Sequence, residues 1–104
     1  IVAGIAELNA LPPIKDNTRL IIGDTLALVN NPGWRTAEIG DSILMSFDPI
    51  AHDTIGAQLL SEVASQSLAS AIALQATAWL EHGAKLGVGT RNPDNIDLVE
   101  VNLG

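Results

Sequence analysis

The segment from Ser42 to Leu60 most constrains the fold, because its pattern changes from strand to helix across one Asp-Pro step. Asp41 to Phe47 is a nearly continuous apolar run, which predicts a strand buried on both faces of a helix-covered sheet. Asp48 can cap the next helix, and Pro49 suits its first position. Apolar residues then recur at helical spacing and would lie on one face of that helix: Ile55, Leu59, Leu60 and Val63. Such strand-to-helix junctions are where α/β proteins bind ligands.

The first third of the chain predicts one helix and one further strand. Apolar residues at helical spacing favour a helix over residues 1–10, which Leu11-Pro12-Pro13 should stop. Thr18 to Asp24 contains a β-branched run and is interpreted as a strand, which residues 25–29 either continue or follow with one turn. Residues 30–34 combine Asn, Pro and Gly and predict a loop.

The second half predicts two more elements after the Asp48 helix. Ser65-Gln66-Ser67 is a plausible break, and Leu68 to Leu86 is an Ala-rich helix that Gly83 or Gly87 ends. Loop residues follow, at 87–89 and 92–95. Leu98 to Leu103 alternates apolar and polar residues and predicts a last, half-exposed strand.

These elements predict an α/β fold in the order α-β-β-α-α-β, with a small three-stranded sheet packed against about three helices. A chain of 104 residues is a single domain. Three strands would leave a doubly wound sheet incomplete, and the sequence begins at Ile1 rather than Met. We therefore expect residues 1–104 to be one module, a fragment of a larger α/β protein.

Composition excludes several function classes. The net charge is −7 and the five basic residues are scattered, so we expect no nucleic-acid partner. The chain has no cysteine, which excludes disulfides, thiolate zinc sites and iron–sulfur ligation by its own residues. No apolar run approaches the ~20 residues of a membrane span and no signal peptide is visible. These features favour a soluble, cytoplasmic protein without a membrane partner.

Asp48, His52 and Asp53 are the candidate ligand-binding residues at the strand-to-helix junction. Asp48 and His52 lie four residues apart in a first helical turn and could share one ligand or a hard metal ion. The alternative is structural: Asp48 is an N-cap and Asp53 an acid favoured by the helix dipole. His52 has the versatile chemistry of a neutral imidazole but no recognisable partner in the sequence.

Asp24, at the carboxyl end of the first predicted strand, is the fourth candidate. If the two strands were adjacent and parallel, Asp24 and Asp48 would meet at one sheet edge and could hold Mg²⁺ or act as a base. Otherwise Asp24 is an ordinary turn residue. Two weaker possibilities are an anion site at Asn30 to Arg35 and a dipole-stabilising role for His82.

The run from Phe47 to Leu60 resembles the C-terminal part of the family called domain of unknown function 362 (DUF362). Its members carry a strand, then Asp-Pro-Val-Ala-x-Asp, then an Ala- or Gly-rich helix. The matching positions are Asp48, Pro49, Ala51, Asp53, Gly56, Ala57 and Leu60. Upstream, Asp24 and Pro32-Gly33 resemble the family's Asp and glycine-proline loop, although Asn30-Asn31 replaces its usual glycines. The resemblance implies a parent protein associated with an iron–sulfur cluster whose cysteines lie outside this chain.

Three functions therefore remain open for the chain. The first is an uncharacterised module of a DUF362-like protein that lines a ligand site with Asp24, Asp48, His52 and Asp53. The second is a divalent-metal-dependent enzyme domain that uses Asp24 and Asp48. The third is a non-catalytic module that associates with other domains of the parent chain or with a second copy.

Overall fold

Helices and two antiparallel strand pairs make up the fold, in a computed structural model that describes residues 2–26, 28–29, 37–38 and 40–104. The strands are β1 (Ile21–Asp24), β2 (Leu28–Val29), β3 (Ala37–Glu38) and β4 (Ile43–Ser46). The helices are α1 (Val2–Ala10), α2 (Pro12–Lys15), α3 (Pro49–Val63), α4 (Gln66–Ala76) and α5 (His82–Lys85). A π-helical turn (Thr77–Glu81) joins α4 to α5, and a 3₁₀ turn spans Pro93–Asn95. The predicted mixture of helix and sheet is confirmed.

The helix boundaries follow local capping chemistry. Asp48 accepts hydrogen bonds from the first turn of α3, and the Ser65 side chain accepts one from the first turn of α4. Pro12 and Pro13 end α1 as predicted but also begin the short helix α2, because proline fits the first turn of a helix. At the end of α5, Gly87 adopts a φ of 77°. The amide of the following Val88 donates to the Gly83 carbonyl, which closes the helix.

The predicted three-stranded sheet is not confirmed. β1 pairs only with β4 and β2 only with β3 in the described parts of the chain, both antiparallel. The predicted strand over residues 98–103 forms no ladder with any described strand, and its apolar side chains stay exposed. Alternation alone predicted that strand, but a strand also needs a partner edge in register.

The β1–β4 pair is covered on one face only, which corrects the expectation that the second strand is buried on both faces. Ile21, Gly23, Leu44 and Ser46 are half-buried on the α3 side of the pair, and the opposite face is exposed. Gly56 of α3 lies against Leu44, since a Cβ on Gly56 would be 3.8 Å from the leucine's Cδ1.

The core lies where α3, the π-helical turn and the end of α5 meet. Ile50 is fully buried, and Leu80 and Val88 pack with it at 3% and 9% exposure. Ala10 of α1 and Ala76 of α4 border this cluster. No helix in the described residues is both long and apolar enough to cross a membrane.

Candidate functional site

A cavity of about 500 Å³ lies beside the β1–β4 pair, between α3, the α4–π segment and α1. Most of its wall is apolar: Ile5, Leu28, Leu44, Ala57, Leu60, Ile72, Ala76, Trp79 and Leu80. A smaller polar part of the wall comes from Asp24, Thr25, His52, Asp53 and Gln75, with Gly23 and Gly56 completing the lining. Three of the four predicted site residues, Asp24, His52 and Asp53, therefore lie around one cavity.

His52, Asp53 and Trp79 form a hydrogen-bonded chain along this cavity. Nδ1 of His52 lies 3.1 Å from Oδ1 of Asp53, and the Trp79 indole N–H donates to Oδ2 of the same carboxylate at 2.6 Å. A carboxylate only accepts, so the His52 ring carries its proton on Nδ1. In the neutral ring the other nitrogen, Nε2, is then a hydrogen-bond acceptor.

Nε2 of His52 is buried and has no hydrogen-bond partner among the described residues. The whole side chain is 11% exposed. Leaving a buried polar atom unpaired costs about 1–3 kcal/mol, which is why such atoms are rare in folded proteins. Among the described residues, Nε2 of His52 is thus the one buried side-chain polar atom that folding leaves without a partner, and it lies against Gly23 of β1.

Gly23 of β1 makes room for the His52 ring. A Cβ at position 23 would lie 2.7 Å from Cε1 and 2.9 Å from Nε2 of the ring, closer than side chains tolerate. A strand glycine can signal such a close approach, so the sequence contained a cue to this contact. The ring also borders a second cavity of about 80 Å³, beneath the chain at Ile96 to Leu98.

Trp79 reaches the site from the π-helical turn, Thr77–Glu81. Its neighbour Leu80 enters the core, and both residues border the cavity. Such turns inside α-helices occur often at functional sites. The sequence analysis missed Trp79, because apolar spacing places it on a helix but does not indicate a widened turn.

Asp48 lies outside this cavity and has a structural role. Its Oδ1 accepts the backbone N–H groups of Ile50 and Ala51, both at 2.9 Å. Its Oδ2 accepts the N–H of Thr90 at 2.9 Å, 42 residues along the chain. Gly89 packs so closely on the carboxylate that a Cβ there would overlap it. The carboxylate is thus committed to holding α3 and the loop after α5 together.

Asp24 and Asp48 are not brought to one sheet edge. The antiparallel register sets Asp24 opposite Ile43, at one end of the strand pair. Asp48 comes two residues after Ser46, which lies opposite Ile21 at the other end. The two aspartates therefore lie at opposite ends of the strand pair. Asp24 instead accepts the N–H of Leu26 at 3.2 Å, as a turn residue does.

Across the described residues, no group of three or more His, Asp or Glu side chains is arranged to hold a metal ion. The loop from Asn30 to Arg35 lies outside the described residues. His82 lies in the last turn of α5, with Nε2 3.6 Å from a carboxylate oxygen of Glu7.

Comparison of the chain with protein-family models, curated proteins and solved structures finds no match.

Proposed function

We propose that this chain is a ligand-binding module whose cavity takes a small, mostly apolar molecule that donates one hydrogen bond to Nε2 of His52. The volume of about 500 Å³ lies within the ~300–1,000 Å³ range of small-molecule sites. Such sites combine apolar walls with a few convergent polar groups, and this cavity has the same composition.

The observation that carries the proposal is the buried, unpartnered Nε2. Asp53 fixes the orientation and tautomer of the ring from one side, while Trp79 holds the carboxylate in place. The ring is therefore held in one orientation, but Nε2 is buried against Gly23, so a donor from the ligand reaches it only when that contact opens. A bound donor would also remove the cost of the unpaired nitrogen.

The ligand is expected to be uncharged or weakly charged. Apolar side chains make up most of the wall, and an ionic group placed against them would lose its hydration without a counter-ion. The carboxylate at the polar end, Asp53, disfavours an anion in particular. A planar, bicyclic molecule with one N–H or O–H group fits this description.

Indole and 1-methylindole provide a matched pair of probes, because only indole has the N–H donor. We expect indole to bind about tenfold more tightly than 1-methylindole, the equivalent of one hydrogen bond worth ~1.4 kcal/mol. Titrations followed by NMR of the probe's own signals would measure both affinities in every variant, and the ring carbons of the two histidines, His52 and His82, would show where the probe binds. Indole should shift the His52 signals and leave those of His82 unchanged.

The variant His52→Phe replaces the imidazole with a phenyl ring and so removes Nε2 together with Nδ1, the partner of Asp53. Without the acceptor it should bind both probes with equal affinity. His82→Phe is the matched control, since that side chain does not border the cavity, and it should retain the preference for indole. Absence of indole binding, or a preference that survives in His52→Phe, would refute the proposed role of Nε2.

We propose in addition that the chain is the C-terminal module of a DUF362-like protein, with any iron–sulfur cluster held by another part of that protein. The resemblance over residues 47–60 supports this parentage, and so does the role of its Asp-Pro step as the start of α3. Within such a parent the module would contribute one wall of a ligand site next to the cluster-bearing part.

The complete reading frame tests this parentage. We expect cysteine-rich sequence upstream of Ile1, and a full-length protein with the absorption and electron paramagnetic resonance signals of an iron–sulfur cluster. A reading frame that starts at Ile1 would contradict the parentage, while the indole experiment would remain a separate test of the cavity.

A further inference from the structure

The face of the β1–β4 pair that points away from α3 is apolar and exposed. Ile22, Ile43 and Met45 are 63%, 60% and 66% exposed, and directly opposite positions in the register share this face. Leu20 and Phe47 extend it beyond the paired residues, at 47% and 82% exposure. We call these five residues, Leu20, Ile22, Ile43, Met45 and Phe47, the open face.

The open face is large for a monomer. At these exposed fractions its five residues, backbone included, present roughly 600–700 Å² of surface, at or above the ~300–600 Å² of the largest apolar patch on a typical monomer. A standard interface buries ~800 Å² on each partner. The open face and its immediate rim therefore supply nearly the whole area that a stable dimer needs.

We propose that the open face binds a second copy of this chain, with the two β1–β4 pairs face to face across a two-fold axis. This inference does not depend on the ligand proposal, because α3 and the His52 ring contact the other face of the strand pair. The contact would bury Ile22 and Met45 at its centre, where interfaces are most apolar.

Sedimentation equilibrium of the full chain over a wide concentration range tests the dimer. Met45→Lys should weaken dimerisation by at least about tenfold, since it buries a charge at the centre of the contact. Leu74→Lys is the matched control: Leu74 is 75% exposed on α4, away from the open face, and its substitution should leave the dimer unchanged. Ile22→Lys is a second disrupting variant on the other strand.

Circular dichroism would verify that every variant is folded. A monomer at all concentrations, or a dimer that persists in both Met45→Lys and Ile22→Lys, would overturn the proposal.

Discussion

The Asp48 carboxylate joins two parts of the chain that are distant in sequence. One oxygen caps α3 through two backbone N–H groups, and the other accepts the N–H of Thr90. Capping was predictable because it involves residues within three positions of Asp48. The bond to Thr90 was not, because nothing in the sequence indicates that the loop after α5 returns to this point.

Replacement of Asp48 measures both roles at once. Asp48→Ala should lower the free energy of unfolding by about 2–3 kcal/mol, of which ~1 kcal/mol is the cap and the rest the loss of the Thr90 acceptor. Asp48→Asn keeps one carbonyl oxygen and should lose about half as much. Urea denaturation gives these values.

Asp16→Ala serves as the control for removing an acidic side chain. Asp16 is exposed, and its carboxylate makes no hydrogen bond with the described residues. The substitution Asp16→Ala should therefore change the free energy of unfolding by less than about 0.5 kcal/mol. If Asp48→Ala were as mild as Asp16→Ala, the double role of Asp48 would be wrong.

At the scale of elements, the segment from Gln66 to Lys85 is one helical run with a π turn inside it. Its end at Gly87 was predicted, whereas α4 begins at Gln66 after the Ser65 cap, two residues before the predicted start at Leu68. Gly83 was one of two predicted ends, but it lies within α5. Its lack of a side chain is required by packing: a Cβ there would be 2.5 Å from Cδ1 of Ile50.

Gly83→Ala should therefore destabilise the protein despite alanine's higher helix propensity. Overpacking against the buried Ile50 costs about 1–3 kcal/mol, against a gain of ~1 kcal/mol in propensity. In an Ile50→Val background the clashing methyl group is gone, and the same substitution should become neutral or stabilising. Thermal and urea unfolding of the four proteins would complete the double-mutant cycle.

Gly4→Ala in α1 is the matched control for this cycle. A Cβ at Gly4 would meet no atom within 4 Å, so only helix propensity changes there. We expect it to stabilise the protein by up to ~1 kcal/mol in either background. An unchanged effect of Gly83→Ala in the Ile50→Val protein would show that the Ile50 contact is not the cause.

At the scale of the whole molecule, apolar surface remains on one side of the strand pair and along the C-terminal segment. Val99, Val101 and Leu103 are 73%, 76% and 95% exposed, although their alternation with polar residues is typical of a strand. Near Ile96 to Leu98 the chain passes beside β4 without joining its ladder. The segment thus has the sequence pattern of a strand and lies beside the edge of β4, but it forms no ladder with that strand.

Removal of residues 99–104 tests whether this segment contributes to stability. Since its side chains are exposed, a chain that ends at Leu98 should unfold within about 0.5 kcal/mol of the full chain in urea. A loss of more than ~1.5 kcal/mol would instead support pairing of the segment with β4 in solution, as in the three-stranded sheet that the sequence predicts. Substituting Val101→Ser in the full chain would separate side-chain burial from backbone pairing.

The candidate site was partly predictable from its residues. Asp24, His52 and Asp53 follow or begin elements that the sequence located, and the structure sets all three around one cavity. Trp79 escaped prediction because it reaches Asp53 from 26 positions away through a π turn. The Asp24–Asp48 pair failed because it assumed parallel strands, and sequence spacing does not specify strand direction.

The sequence by itself determined where the main helices begin and end, because caps, prolines and glycines act on backbone groups only a few residues away. Asp48 with Pro49 at the start of α3, and Gly87 after α5, were predictable for that reason. Only the tertiary structure decided that β1 and β4 run antiparallel with one face open, and that His52 is held by Asp53 with Nε2 left unpaired. Those outcomes depend on contacts between distant parts of the chain, where packing and burial rather than local propensity set the free energy.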